Sequence, residues 1–208
     1  MASVHFEHDS LSTLEPLPAP ISVKFVIAGG FGVGKTTFVA SVSEITPLQT
    51  EGAMTEIGMD LDDAGLARGK ESTTVAMDFG RITVEDELVM YLFGTPGQNR
   101  FGFMWDDIVE GAMGALVLVD PRRLDHCYPA IDYFEQRNVP FVVVLNHFDT
   151  DYRPDVAAVR YALNIGDDVP FVSCDARQRN SVKLALLSML EYLLIRFRAN
   201  EAGSDSLS

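Results

Sequence analysis

Positive charge is scarce in this chain. Its 208 residues hold 16 Lys and Arg against 30 Asp and Glu, a formal net charge of -14. A surface that acidic repels phosphodiester backbones and anionic lipid faces, so nucleic acid and direct membrane insertion are disfavoured. Cysteine is scarcer still: Cys127 and Cys174 stand alone, at no metal-ligand spacing, which fits a reduced compartment better than a disulfide scaffold. No apolar run is long enough to cross a bilayer. No Lys or Arg precedes Lys24, so the basic start of a secretory signal is missing. No glycine follows Met1 and the closing Asp-Ser-Leu-Ser carries no cysteine, so the lipid-anchor patterns are missing too. The expectation is a cytoplasmic protein that reaches a membrane only through partners. There are no internal repeats. What the chain does have is apolar residues, 47% of the total, enough for one domain with a substantial core.

It also has one dense cluster of glycine. Gly29-Gly30-Phe31-Gly32-Val33-Gly34-Lys35-Thr36 meets every requirement of the phosphate-loop pattern G-x-x-x-x-G-K-[ST]. Glycines let the backbone curl so that several N–H groups face phosphate oxygens. Lys35 adds a positive charge for the outer phosphates, and the Thr36 hydroxyl is placed to ligate magnesium. Ile21–Ile27 predicts a buried strand entering the loop, and Thr36–Val42 a helix leaving it, with its positive end toward the anion and Thr37 in its first turn. A chance glycine-rich turn would not set strand, loop, lysine, threonine and helix in that order.

Around the loop, short apolar strands alternate with helical patterns, the mark of a parallel sheet covered on both faces. The strands are expected at Val23–Ala28, Val75–Val84, Leu88–Phe93, Ala115–Asp120, Phe141–Asn146 and Phe171–Ser173. Glu85-Asp86 predicts a hairpin turn, hence one antiparallel strand in a mixed sheet of six. A helix is expected from Met104 to Met113. Another, Ser181–Arg198, carries Val182, Leu186, Met189, Leu190, Leu193 and Phe197 at core-facing spacing. Residues 1–20, with Pro16, Pro18 and Pro20, predict a flexible arm, residues 21–199 a single domain, and residues 200–208 a disordered polar tail. Ser43 to Thr73 is polar, with little periodicity, and predicts a long functional loop.

Four further stretches, in order, resemble the remaining signatures of small GTPases. Thr74-Val-Ala-Met-Asp78-Phe79-Gly80 is similar to the first switch, where a threonine reaches magnesium and the γ-phosphate; Thr74 fits by its spacing to Asp78, and Thr73 is the alternative. Gly94-Thr-Pro-Gly97-Gln98 is similar to the second switch, in which the glycine N–H meets the γ-phosphate and the glutamine orients the attacking water. Asn146-His147-Phe148-Asp149 resembles the guanine-reading motif, whose aspartate accepts the two base hydrogens that adenine does not offer as a pair. Asp175-Ala176-Arg177 resembles the last motif, where the alanine N–H meets the guanine carbonyl. The likeness spans roughly residues 22–198 and implies a P-loop NTPase, small-GTPase-like G domain.

The wording Gly-Gly-Phe-Gly-Val-Gly-Lys-Thr-Thr, Thr-Val-Ala-Met-Asp-Phe-Gly-Arg, Leu-Phe-Gly-Thr-Pro-Gly-Gln and Ser-Cys-Asp-Ala-Arg resembles the conservon-type G proteins of actinobacteria, relatives of the bacterial polarity GTPase MglA. The resemblance implies GTP/GDP switching with magnesium and slow hydrolysis. It also implies a Roadblock/LC7-fold partner, expected as a homodimer, acting as activator or effector, and a membrane-associated, sensor-kinase-like complex. The alternatives are an adaptor with or without nucleotide and, more weakly, an ATPase.

Three positions depart from the pattern. Gly94 stands where most GTPases keep a magnesium-site aspartate, leaving Thr36, Thr74 and phosphate oxygens as the metal shell. Phe31 replaces a small residue and would crowd the space of an inserted arginine finger, so activation would act through Gln98 and the long loop, with Arg68 and Lys70 as possible cations in cis. His147 replaces a lysine that packs over the base. After the second switch, Phe101, Phe103, Met104 and Trp105 divide between core and partner surface.

Overall fold

Two strands set the architecture. Gly114–Val119 and Phe141–Asn146 are apolar apart from their closing asparagine and buried at every position, a pattern suited only to strands covered on both faces. The computed structural model describes residues 19–46, 48–55, 72–85, 87–97, 99–148 and 154–205, with the backbone alone at 48–55, 72–76, 99–101 and 203–205. In chain order the strands are β1 (Ile21–Ala28), β2 (Leu48–Thr55), β3 (Ser72–Val84), β4 (Leu88–Gly94), β5 (Gly114–Val119), β6 (Phe141–Asn146) and β7 (Phe171–Cys174). The helices are α1 (Lys35–Val42), α2 (Trp105–Val109), α3 (Tyr128–Gln136), α4 (Val156–Ala162) and α5 (Arg179–Asp205).

All the strands join one sheet in the order β2-β3-β4-β1-β5-β6-β7. β4, β1, β5, β6 and β7 run parallel, and β2 and β3 add antiparallel pairs at one edge. The expected hairpin is present, with Val84 paired to Leu88 and Glu85 at φ 51 in its turn. The mixed sheet of a G domain therefore stands, widened by one strand. That strand, β2, lies where a long loop was expected. Its sequence, Leu-Gln-Thr-Glu-Gly-Ala-Met-Thr, has no apolar alternation, because an edge strand is fixed by its hydrogen bonds to β3 and not by a buried face. Residues 56–71, the rest of that stretch, and residues 1–18 of the expected arm lie outside the described residues.

One core lies under α1 and α5, where Phe38, Val39 and Val42 meet Val182, Leu186, Met189 and Leu193. The other lies under α2, α3 and α4, around Trp105, Ile108, Ile131, Phe134 and Val159. Of the α5 stripe, Val182, Leu186, Met189 and Leu193 are buried and Leu190 packs partly buried against them, while Phe197 is exposed. α5 also runs to Asp205, through part of the expected disordered tail. α2 is shorter than expected, preceded by a 3-10 turn over Asn99–Met104. Of the residues after the second switch, Trp105 is buried, Met104 packs on the core and Phe103 is exposed, while the Phe101 side chain is not described. Both cysteines are free and buried; burial pushes the Cys127 thiol up to about 12 and the Cys174 thiol to about 11.

Candidate functional site

The parallel strands deliver the site. β1, β4, β5, β6 and β7 run out into Gly29, Thr95, Asp120, His147 and Asp175 at the carboxyl end of the sheet, the end where open α/β sheets bind ligands. The backbone ties these ends together: Thr95 N–H donates to Ile27 O at 2.9 Å, and His147 N–H to Cys174 O at 2.7 Å.

Between β1 and α1 the phosphate loop closes on itself. Lys35 is buried, and its Nζ donates to Gly29 O at 2.8 Å and Gly30 O at 2.9 Å. Desolvation lowers its pKa from the usual 10.5 to about 8, with Asp78 pulling the other way. α1 begins at Lys35 without a side-chain cap, so its first N–H groups are open to an anion. Thr37 is exposed on that first turn. Phe31 is 66% exposed, so its ring does not plug the loop.

Asn146 joins two loops at this end of the sheet. It is buried at the end of β6, where its Nδ2 donates to Val33 O at 2.8 Å and its Oδ1 accepts Ala176 N–H at 3.0 Å. The amide thereby fastens the phosphate loop to the turn after β7. Gly34 is required beneath it: its φ is 105°, and a Cβ there would come within 2.7 Å of Asn146 Nδ2. The sequence resemblance gives the Ala176 N–H to the guanine carbonyl; in this structure that N–H is spent on Asn146. Asp175 is held by Arg177, through Nε at 2.9 Å and Nη2 at 2.8 Å. Those bonds, strengthened by Gln178, hold its carboxyl at about 2. His147 is half-buried. Gln98 and Asp149 lie outside the described residues, and of Thr73 and Thr74 only the backbone, in β3, is described.

The place left by Gly94 is met by a carboxylate from the neighbouring strand. Asp78 and Gly94 are paired across β3 and β4, and a Cβ on Gly94 would lie 2.9 Å from Asp78 Cβ and 3.0 Å from its Oδ2. The Asp78 carboxylate thus occupies the space an aspartate at 94 would use, and Thr36 Oγ1 donates to it at 2.8 Å. Sequence spacing used Asp78 only as a landmark; the signal that could have found it is register, since Gly94 and Asp78 flank the predicted hairpin at nearly equal distances. Two converging hard oxygens fit magnesium, which completes its shell with water and phosphate. Among the described residues no group of three or more His, Cys, Asp or Glu could hold a metal by itself.

This fold and loop define a nucleotide-binding P-loop protein of the G-domain class. The profile of the family described as conserved hypothetical ATP binding protein matches residues 27–196, and the chain belongs to that family. An uncharacterized protein of Methanocaldococcus jannaschii is 30% identical over 129 residues, 61% of this chain and 71% of its own length. Among solved structures, the cytosolic domain of the T. maritima FeoB iron transporter in apo form superposes with a TM-score of 0.59 at 15% identity, over 83% of this chain. The chain spans 64% of the length of that domain. The G domain of the same transporter gives 0.57 at 16% identity, covering 83% of this chain and 99% of that one. The FeoB G-domain of Methanococcus jannaschii gives 0.54 at 13%, covering 83% and 98%. At such identities the likeness is one of fold. No helix among the described residues is long and apolar enough to cross a membrane.

Proposed function

We propose that the protein is a guanine-nucleotide-dependent switch that hydrolyses GTP slowly by itself. The observation that carries this reading is the position of Gly97. A Cβ there would lie 2.8 Å from Lys35 Nζ and 2.8 Å from Phe31 Cα, so the second-switch segment rests on the lysine of the phosphate loop. A terminal phosphate drawing Lys35 out of its bonds to Gly29 and Gly30 must also engage or displace that segment, which is how nucleotide state becomes shape.

In this reading the loop amides, Lys35 and the first turn of α1 hold the phosphates, and Asn146 keeps the two halves of the pocket in register. Asp149 reads the base and Gln98 orients the water. The water attacks the γ-phosphorus, the bond to the β–γ bridging oxygen breaks, and GDP, inorganic phosphate and a proton leave. Thr36, Thr74 and Asp78 are the residues that would hold magnesium, which offsets charge on the phosphate oxygens. The bulk of Phe31 at the loop supports activation by repositioning the second switch in preference to an arginine inserted by a partner. The conservon-type resemblance supports a Roadblock/LC7-fold homodimer as activator or effector, with a membrane-associated sensor-kinase-like complex beyond it.

Titration with mant-GDP and mant-ADP, then phosphate release from GTP with Gln98→Leu alongside, tests the proposal. The expected result is at least tenfold tighter binding of mant-GDP, and a slow release that Gln98→Leu lowers further. The family description favours a second reading, the same machinery working on ATP; equal or tighter binding of mant-ADP would establish it. Binding of neither nucleotide would leave only an adaptor.

A further inference from the structure

Two arginines compete for one carboxylate beside the phosphate loop. Asp120 closes β5 and is 3% exposed. Arg122 grips it with Nε on Oδ1 at 2.8 Å and Nη2 on Oδ2 at 2.8 Å, adds its backbone N–H to Oδ1 at 3.0 Å, and sets its guanidinium 4.0 Å from the centre of the Phe148 ring. Burial works against the charge on Asp120, but the bonds from Arg122 and Arg123 outweigh it and hold the carboxyl below its usual range. Arg123 takes what is left, reaching Oδ2 with Nη2 at 3.2 Å and Nε at 3.3 Å, longer than charge-assisted bonds normally run. Its Nη2 also leans on the phosphate loop, 3.7 Å from where a Cβ on Gly32 would stand. With Gly30, Phe31 and His126 it borders a shallow surface depression beside the loop. One carboxylate cannot neutralise two guanidiniums, so the trio of Asp120, Arg122 and Arg123 carries a net positive charge, in a chain whose net charge is -14.

We propose that Arg123 is a phosphate-binding arginine supplied in cis. When nucleotide binds, it leaves Asp120 to Arg122 and turns its planar fork to the polyphosphate. The move costs little, because Arg122 already satisfies the carboxylate and Arg123 is 42% exposed; the fork matches two phosphate oxygens as a lysine cannot. This deepens the nucleotide reading and rests on it.

The test titrates mant-GTP and mant-ATP, with magnesium, into the full chain and into Lys35→Ala, Arg123→Ala, Arg123→Lys and Asp120→Asn. Arg123→Ala is expected to weaken the bound triphosphate about tenfold or more, to lower the salt dependence of binding, and to leave the melting temperature unchanged. Arg123→Lys recovers part of the loss. Asp120→Asn frees the arginine and binds more tightly than the parent. Arg123→Ala at parental affinity overturns the inference. So does an Asp120→Asn as weak as Arg123→Ala, since the ion pair would then be a structural brace. If the parent binds neither probe, the nucleotide reading itself fails; if the parent binds, Lys35→Ala does not and Arg123→Ala matches the parent, only the role of Arg123 fails.

Discussion

Lys35 keeps its charge in a place that opposes it. Burial at the base of the loop lowers its pKa from the usual 10.5 to about 8. Phosphate oxygens would favour the charged form and raise that value again. Below about pH 8 the lysine is protonated with or without ligand, so binding moves no proton. Above it the free protein has lost the proton and the complex regains it, so binding takes up about one proton and affinity falls by up to tenfold per pH unit. Calorimetric titration of the nucleotide at pH 7 and pH 9, in buffers of different ionisation enthalpy, is expected to show proton uptake only at pH 9. Uptake at neither pH would mean that Lys35 does not meet the phosphates. The lysine was legible from the motif; its depressed pKa was not, because it comes from burial beneath the folded loop, partly offset by Asp78 on another strand.

Among the elements, β3 and β4 make the clearest case of information that sequence holds only in register. Both strands were legible from their apolar runs, and Gly94 reads as a missing carboxylate until the pairing sets Asp78 against it. Because one space serves one carboxylate, Gly94→Asp is expected to cost about 1–3 kcal/mol through crowding and like-charge repulsion. Asp78→Gly should weaken magnesium-dependent nucleotide binding about 10–100-fold. The double exchange should recover part of both losses, measured by thermal melting and by mant-nucleotide titration with magnesium or EDTA. A Gly94→Asp protein as stable as its parent would show that the space holds two carboxylates. The ends of elements were less legible. α2 stops at Val109 and Gly111 follows at φ 71, turning the chain into β5 sooner than the apolar residues predict. α5 continues past Arg198 because Ala, Asn and Glu sustain an exposed helix without any buried face to announce it.

At the scale of the whole molecule, charge is the dominant asymmetry. With -14 net, self-repulsion opposes the compact state, and salt screens it. Raising NaCl from about 0.05 to about 0.5 M should stabilise the nucleotide-free protein by about 1 kcal/mol, a rise of about 2–4 °C in melting temperature; a fall over that range would show that specific ion pairs outweigh the repulsion. The same concentration of salt should weaken nucleotide binding, since Lys35 and Arg123 meet the phosphates through charge. Stability and ligand affinity are thus expected to respond to salt in opposite directions.

The sequence by itself determined the phosphate loop, six strands, the two-sided parallel centre and the reduced cysteines, because each rests on local spacing or on continuous apolar runs. Only the tertiary structure decided the edge strand β2, the Asp78 carboxylate filling the space beside Gly94, the Asn146 clamp between two distant loops and the contest of Arg122 and Arg123 for Asp120. These depend on which backbones lie side by side, and hydrogen-bond register between strands leaves no periodic trace in the order of residues.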